Sequence, residues 1–138
     1  MEPLRPFDTQ MQLLSKVLDL RAQNAQVISA NIANAETPGY SSSKFEFEDE
    51  LANAIGKRNS ITLSTSNERH IPLGPANFHS VSGKIITEKG LNGIGDGNGV
   101  SVDQEMLALS ENELLYETAA QLLKKKMTQL KHVISGGQ

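Results

Sequence analysis

Apolar side chains recur at helical spacing near both ends of this chain and are sparse in the stretch between them. In the N-terminal segment they step by threes and fours, which keeps them on one face of a helix. We call this set the N-terminal stripe, and we expect polar or small residues opposite it. Its members are Phe7, Met11, Leu14, Leu18, Ala22, Ala25, Ile28, Ile32 and Ala35. The pattern predicts a helix over residues 7–36, since Pro38 disfavours helical geometry in the residue before it.

A longer apolar pattern fills the C-terminal segment, with alternating gaps of four and three residues that only Glu113 interrupts. An average gap of about 3.5 residues is typical of coiled-coil packing. We call this set the C-terminal seam. Its members are Val102, Met106, Leu109, Tyr116, Ala120, Leu123, Met127, Leu130 and Ile134. Ser101 with Gln104 forms a capping-box pattern, and Gly136 follows the last apolar residue, so the predicted helix spans residues 102–134.

Four further leucines and two blocks of charge give the C-terminal helix additional surfaces. The leucines widen the apolar stripe, which indicates contact with more than one neighbouring helix. They are Leu107, Leu114, Leu115 and Leu122. The acids of this helix lie in its first half and its lysines in its second, an order that suits the helix dipole. The charges are interpreted first as a solvated face and second as partner contacts.

The middle of the chain predicts little regular structure. Residues 37–44 are interpreted as a turn and linker, and apolar positions from Phe47 to Ile55 predict a short helix over residues 46–55. Residues 57–99 contain seven glycines and few apolar residues, so a glycine-rich loop region is expected there. A small hairpin is possible in which residues 78–81 pair with residues 84–87. The resulting fold class is mainly α: one elongated domain over residues 1–138, with the long terminal helices packed as a coiled coil.

Composition and residue spacing argue against several functional classes. The chain has 138 residues, no cysteine and a net charge of -3, which leaves no thiolate chemistry and no basic patch for nucleic acid. His70, His79 and His132 lack the spacing of a metal site or a catalytic triad. The alternating glycines at 93–99 lack the strand and lysine of a phosphate-binding loop. We therefore expect no catalytic, cofactor-binding or metal-binding residues, no small-molecule substrate and no enzymatic activity.

The junction after the first helix is the most specific motif of the chain. Asn31 and Asn34 are three residues apart and therefore neighbours on one helix face, where each amide is able to donate and accept hydrogen bonds. Thr37-Pro38-Gly39-Tyr40 predicts a type II turn, because proline suits its second position and glycine takes the positive φ of its third. Local chemistry alone favours the simpler interpretation, a helix with polar residues at a frayed end followed by an ordinary proline-glycine turn.

The run from Asn31 to Tyr40 closely resembles the N-terminal signature of the bacterial flagellar axial proteins, which form the rod, the hook and the hook-filament junction. Within that family the chain is most similar to the short proximal rod members. The similarity is strong over residues 20–40 and over residues 96–131, which include the entry into the last helix, and it is weak over residues 50–90. Asn24 departs from the pattern, because basic residues are common at that position in the family.

The resemblance implies a structural subunit of the proximal rod of the flagellar basal body, which self-assembles through its terminal helices into a torque-transmitting shaft for motility. The implied partners are other copies, other rod proteins, the adaptor between rod and MS ring, the export-gate base and the flagellar type III export apparatus. The implied location is the rod on the periplasmic side of the inner membrane, reached without a cleavable signal peptide. The alternative is a soluble helical adaptor or export chaperone that binds partner helices in the cytoplasm.

Fifteen residues are predicted to form subunit interfaces or to pack within the subunit. They belong to the N-terminal stripe, the signature and the C-terminal seam. They are Leu14, Leu18, Ile28, Asn31, Ile32, Asn34, Pro38, Gly39, Tyr40, Met106, Leu109, Tyr116, Leu123, Met127 and Leu130.

Overall fold

The computed structural model describes residues 9–56, 77–87 and 100–136, and three helices form its framework. Helix α1 spans Thr9–Ala33, helix α2 spans Glu48–Gly56 and helix α3 spans Val102–Ile134. Strand β1 spans Ser43–Glu46, strand β2 spans Lys84–Thr87, and a 3-10 helix spans Phe78–Ser80. The mainly α fold with long terminal helices and a short middle helix is therefore confirmed.

The two long helices lie side by side and run antiparallel. Met11 near the start of α1 shares a groove with Leu123 and Met127 of α3, whereas Ile28 near its end shares another groove with Ala108. With 25 and 33 residues, the helices are about 37 and 50 Å long. Helix α3 occupies the range predicted for it, although the Ser101 side chain makes no capping hydrogen bond. The capping-box prediction at this end is therefore wrong.

Helix α1 ends at Ala33, three residues before the predicted limit, because its last turn tightens. Asn34 N donates to both Ala30 O (3.1 Å) and Asn31 O (3.2 Å), and Ala35 N donates to Ile32 O (3.2 Å). Hydrogen bonds to the third preceding residue are typical of a tightened helix end. The predicted first residues of this helix, 7 and 8, lie outside the described residues.

The predicted type II turn after α1 is confirmed. Tyr40 N donates to Thr37 O at 3.1 Å, and Gly39 has a φ of 74°, while no other residue type in the described ranges has positive φ. Positive φ at the third position alone distinguishes type II from the other common turns.

The predicted hairpin between residues 78–81 and 84–87 is wrong. Residues 84–87 do form β2, but it pairs antiparallel with β1, so that Ser43 lies opposite Thr87 and Phe45 opposite Ile85. The linker prediction for residues 37–44 is also corrected, because β1 begins at Ser43. Pairing with β1 lets Phe78 and Val81 enter the core instead of forming a strand. The other residues of the predicted loop region, 57–76 and 88–99, lie outside the described residues.

A small core lies against one side of α1 and is completed by β1, α2 and the 3-10 helix, which together with β2 we call the small module. Its fully or almost fully buried members are Leu20, Phe47, Leu51, Ala54, Phe78 and Val81, with Leu13, Val17 and Phe45 packed against them. Helix α1 thus has a second apolar face, and the expectation of polar or small residues opposite the N-terminal stripe is wrong. Leu20, outside the stripe, has no exposed surface.

Helix α2 begins two residues later than predicted, because Glu46 is the last residue of β1 and Phe47 connects the strand to the helix. Phe47 O accepts the first helical hydrogen bond from Leu51 N at 2.8 Å. At the other edge of the module, Gly83 N donates to the Glu50 carboxylate at 3.1 Å. This bond holds the start of β2 against α2.

Candidate assembly interface

A polar cluster fixes how α3 lies on α1. Asn112 of α3 is buried, with 3% of its surface exposed. Its side-chain Nδ2 donates to Arg21 O at 2.9 Å, and its Oδ1 accepts from Asn24 Nδ2 at 3.0 Å. A buried amide whose donor and acceptor are both satisfied disfavours shifted pairings, since a shift leaves those groups unsatisfied. Asn112 therefore specifies one axial position of α3 on α1.

Arg21 connects this helix pair to the small module. Its Nη2 lies 2.6 Å from Glu48 Oε1, its Nη1 lies 3.5 Å from Asn112 Oδ1, and its guanidinium lies 5.0 Å from the centre of the Phe47 ring. Its Nε is buried with no hydrogen-bond partner in the described part of the chain. One cation thus touches α2, α3 and Phe47, the residue between β1 and α2, which holds these elements in one arrangement around α1.

The two asparagines of the signature bind within the chain. Asn31 is 1% exposed, its Nδ2 donates to Ser43 O at 2.7 Å, and its Oδ1 accepts from Ser43 N at 3.0 Å and Tyr40 Oη at 3.1 Å. Asn34 Nδ2 donates to Ala30 O at 2.8 Å, and Thr37 Oγ1 donates to Asn34 Oδ1 at 3.3 Å. These bonds hold the turn against the end of α1 and aim the chain into β1.

The predicted interface residues differ in how much of each side chain is exposed. Buried positions are Ile28 and Asn31, and half-buried positions are Leu14, Leu18, Ile32, Asn34, Tyr40, Leu109, Leu123 and Leu130. Exposed positions are Pro38, Gly39, Met106, Tyr116 and Met127. Side chains that one subunit leaves exposed are the ones available to another subunit, so the role of these residues at a subunit interface stays a prediction.

Exposed apolar surface is concentrated on α3. Of twelve large hydrophobic residues exposed in the described part of the chain, ten lie on α3 and none on α1. Four of them form one side, which we call the leucine row: Leu107, Leu114, Leu115 and Leu122. Four others form the opposite side, which we call the methionine flank: Val102, Met106, Tyr116 and Met127.

The geometry of a helix places these two surfaces on either side of the face that packs on α1. Counted at about 100° per residue from Asn112, the leucine row lies between about 200° and 300° and the methionine flank between about 40° and 120°. Exposed apolar surface is a common feature of sites of protein association. Helix α3 exposes apolar side chains on two lateral surfaces.

The sequence patterns missed Leu20, Arg21 and Asn112. A signal for Asn112 was present, because Ala108 and Ala119 lie on the same face and leave room for a close approach of another helix. In the structure Ala119 is buried and Ala108 is half-buried, whereas Glu113, which interrupts the seam, is exposed. The α1-facing side of α3 is thus centred on Asn112, and the C-terminal seam lies toward its edge.

Polar groups elsewhere in the described residues serve structural contacts. His79 Nε2 lies 3.2 Å from Gln12 Oε1, and Glu48 and Glu50 of the acidic run bind Arg21 and Gly83 N. Across residues 9–56, 77–87 and 100–136, no three or more acidic or histidine side chains converge as a set of metal ligands. In the same ranges, no helix has the length and apolar character needed to span a membrane.

Comparison with known proteins matches both the signature and the whole chain. A model of the family described as flagella basal body rod protein matches residues 18–40. The flagellar basal body rod protein FlgB of Salmonella typhimurium is 29% identical over 137 residues, covering 95% of this chain and 96% of the relative. FlgB of Escherichia coli is 30% identical over 141 residues, covering 97% and 99%. FlgB of Cereibacter sphaeroides is 33% identical over 131 residues, covering 94% and 97%.

The paired terminal helices, the asparagine signature and the matching family model define the class, which is that of flagellar basal body rod proteins. Within that class, the relatives match over nearly their full length, and the chain belongs to the FlgB family. It is accordingly a structural protein of the flagellar rod and not an enzyme, as the sequence analysis predicted.

Proposed function

We propose that this protein is a subunit of the proximal rod, which assembles with other rod proteins through its terminal helices to form a torque-transmitting shaft. The observation that carries the proposal is the exposed apolar surface of α3. Burying a leucine side chain stabilises an association by about 1.5–3 kcal/mol relative to leaving it in water. Repetition of such contacts from subunit to subunit makes a stiff polymer from individually modest interfaces.

The partners proposed are other copies of this chain, other rod proteins, the adaptor between rod and MS ring, the export-gate base and the type III export apparatus. The proposed location is the periplasmic part of the rod, reached without a cleavable signal peptide. Membership of the rod protein family supports these assignments. The small core supports the export route, because a chain with little buried surface is easily held unfolded until it joins its neighbours.

The interface is proposed to use the exposed members of the predicted set together with the leucine row. Met106, Tyr116 and Met127 lie on the methionine flank, and Pro38 and Gly39 form the exposed turn beside the buried Asn31. Leu109, Leu123 and Leu130 are half-buried in the subunit and are proposed to complete the interface from its edge.

The experiment is to replace Leu114 by aspartate in cells that build flagella and to compare the composition of isolated basal bodies and swimming. Leu114 is 65% exposed, so the substitution leaves the subunit fold intact and places a charge at the proposed contact. We expect loss of the protein from basal bodies and loss of swimming. The matched control, Gln121→Asp, places the same charge on the side of α3 between the two lateral surfaces and is expected to assemble.

Circular dichroism of both purified variants verifies that α3 still forms. Normal assembly of Leu114→Asp would refute this interface. Recovery of the wild-type protein from the soluble cytosol alone would instead favour the adaptor alternative over a rod subunit.

A further inference from the structure

The charges of α3 are separated into two blocks. Residues 102–117 contain five acids and no base, and residues 118–134 contain four lysines and no acid. The acids are Asp103, Glu105, Glu111, Glu113 and Glu117, and the lysines are Lys124, Lys125, Lys126 and Lys131. All but Glu105 and Lys126 are exposed. One half of the helix surface is thus negative and the other half positive.

Within residues 9–56, 77–87 and 100–136, no ion pair neutralises these blocks. No acid of α3 has a lysine three or four residues away, which is the spacing that pairs charges on a helix. None of the nine side chains has an ion-pair partner within the described ranges. The charged residues of α1 are Lys16, Asp19 and Arg21, and Arg21 binds Glu48.

The helix dipole accounts only for the charges at the two ends. Its effect falls off within the first and last turn, which hold Asp103, Glu105 and Lys131. Glu111, Glu113 and the three consecutive lysines lie further inside the helix. Their separation leaves complementary charge for a partner helix.

We propose that Leu107 and Leu114 of one copy pack on Ala120 and Met127, on the methionine side of a second copy, with the two α3 helices parallel and offset by about 13 residues, or about 20 Å. The inference rests on the proposed assembly into a rod. With this offset, Leu114 lies level with Met127 of the next copy and Leu107 level with its Ala120. Glu111, on the leucine side, lies level with Lys124 on the methionine side.

The alternatives bring like charges together or close the assembly. Without the offset, packing of the leucine side on the methionine side places Glu111 beside Glu113 of the neighbouring copy and Lys125 beside its Lys124. Like charges across an interface are unfavourable. A two-fold contact between two leucine rows closes into a dimer and ends there. The offset contact uses a different side of each copy, so it leaves one free leucine row and one free methionine flank at the ends and continues as an open assembly.

Disulfide cross-linking in isolated basal bodies tests this offset, since the natural chain has no cysteine. Thr118 lies on the leucine side and Lys131 on the methionine side, 13 residues further along, and both are exposed. After oxidation, the double variant Thr118→Cys/Lys131→Cys is expected to form a ladder of dimers, trimers and larger products. Each single variant is expected to remain uncross-linked.

Three cross-linking results would overturn the proposal. Dimers of the single variant Thr118→Cys would show a two-fold contact between leucine rows. A ladder from the variant Thr118→Cys/Tyr116→Cys would show parallel helices without an offset. Absence of products from Thr118→Cys/Lys131→Cys in basal bodies that contain the protein would show that these sides do not meet.

Charge reversal tests the pairing independently. Glu111→Lys and Lys124→Glu are each expected to lower the amount of the protein in basal bodies roughly fivefold, because each places like charges together. The combined variant restores opposite charges and is expected to recover the wild-type amount. Failure of the combined variant to recover, or increased assembly of Glu111→Lys alone, would overturn the proposal.

The behaviour of wild type and of Leu114→Asp separates this inference from the proposed function. If wild type is present in basal bodies and Leu114→Asp is absent from them, the rod assignment and the leucine surface stand whatever the charge variants do. If wild type is absent from basal bodies, the rod assignment itself fails.

Discussion

Helices α1 and α3 carry apolar patterns of the same kind, and the structure covers them to different extents. Helix α1 packs on α3 with one face and on the small module with another, and none of its large apolar residues in the described range is exposed. Helix α3 has one covered face, centred on Asn112, and its two sides remain open. Apolar periodicity therefore indicates that a face requires a partner, and it does not indicate whether that partner lies in the same chain.

The largest expected effect is the difference in unfolding free energy between two separate leucine-to-alanine variants, one in α1 and one in α3. Leu20→Ala leaves a cavity in the small core and is expected to lower the free energy of unfolding by about 3 kcal/mol. Leu114→Ala removes an exposed side chain and is expected to change it by less than about 0.5 kcal/mol. Urea denaturation of the purified proteins measures both. Equal losses of unfolding free energy would show that α3 is covered in the isolated subunit and would contradict the difference between the two helices.

Asn112→Ala tests the contact that joins the two helices. The substitution leaves Asn24 Nδ2 without its acceptor and Arg21 O without the Asn112 donor. We expect it to lower the free energy of unfolding by about 2 kcal/mol. Denaturation measures the loss, and hydrogen exchange is expected to show faster exchange in α3 than in the module-facing part of α1. Ser110→Ala, an exposed change two residues earlier, is the control. An unchanged unfolding free energy for Asn112→Ala would mean that Asn112 does not fix the helix pair.

Gly83→Ala tests the module that covers the second face of α1. Gly83 has a φ of 68°, and an added Cβ would lie 2.6 Å from Cε2 of Phe45. Both the backbone strain and the displaced ring are unfavourable, and the expected loss is about 1–2 kcal/mol. Gly56→Ala at the end of α2, where no atom lies within 4 Å of the new Cβ, is the control and is expected to be neutral or slightly stabilising. Equal behaviour of the two variants would contradict the close packing of β2 on β1.

The smallest effect on stability is expected from the ion pair between Arg21 of α1 and Glu48 of α2. Glu48→Gln removes the charge opposite Arg21, but the Glu48 side chain is 66% exposed. Solvent screening limits such a pair to less than about 1 kcal/mol. Arg21→Gln is expected to cost more, because it also removes the contacts with Asn112 and the Phe47 ring. Denaturation of both variants checks the order, and a larger loss for Glu48→Gln would reverse our assignment of Arg21 as the connecting residue.

Local patterns determined the long helices and the turn. The heptad spacing and the following glycine placed α3 at residues 102–134, and proline followed by glycine specified the turn at Thr37–Tyr40, because both features depend on residues close in the chain. Spacing also predicted an apolar stripe wider than one helix contact, whereas the exposure of the leucine row was decided by the tertiary structure.

The tertiary structure decided which distant residues meet. The pairing of β1 with β2 joins residues about forty positions apart, and the burial of Leu20 depends on a module that approaches from the side opposite the N-terminal stripe. Asn31 and Asn112 are both amides in helices, and only the surrounding backbone decided that one holds a turn and the other holds two helices together. Such choices depend on complementary shape and hydrogen bonding between remote segments, which periodicity along a single segment does not contain.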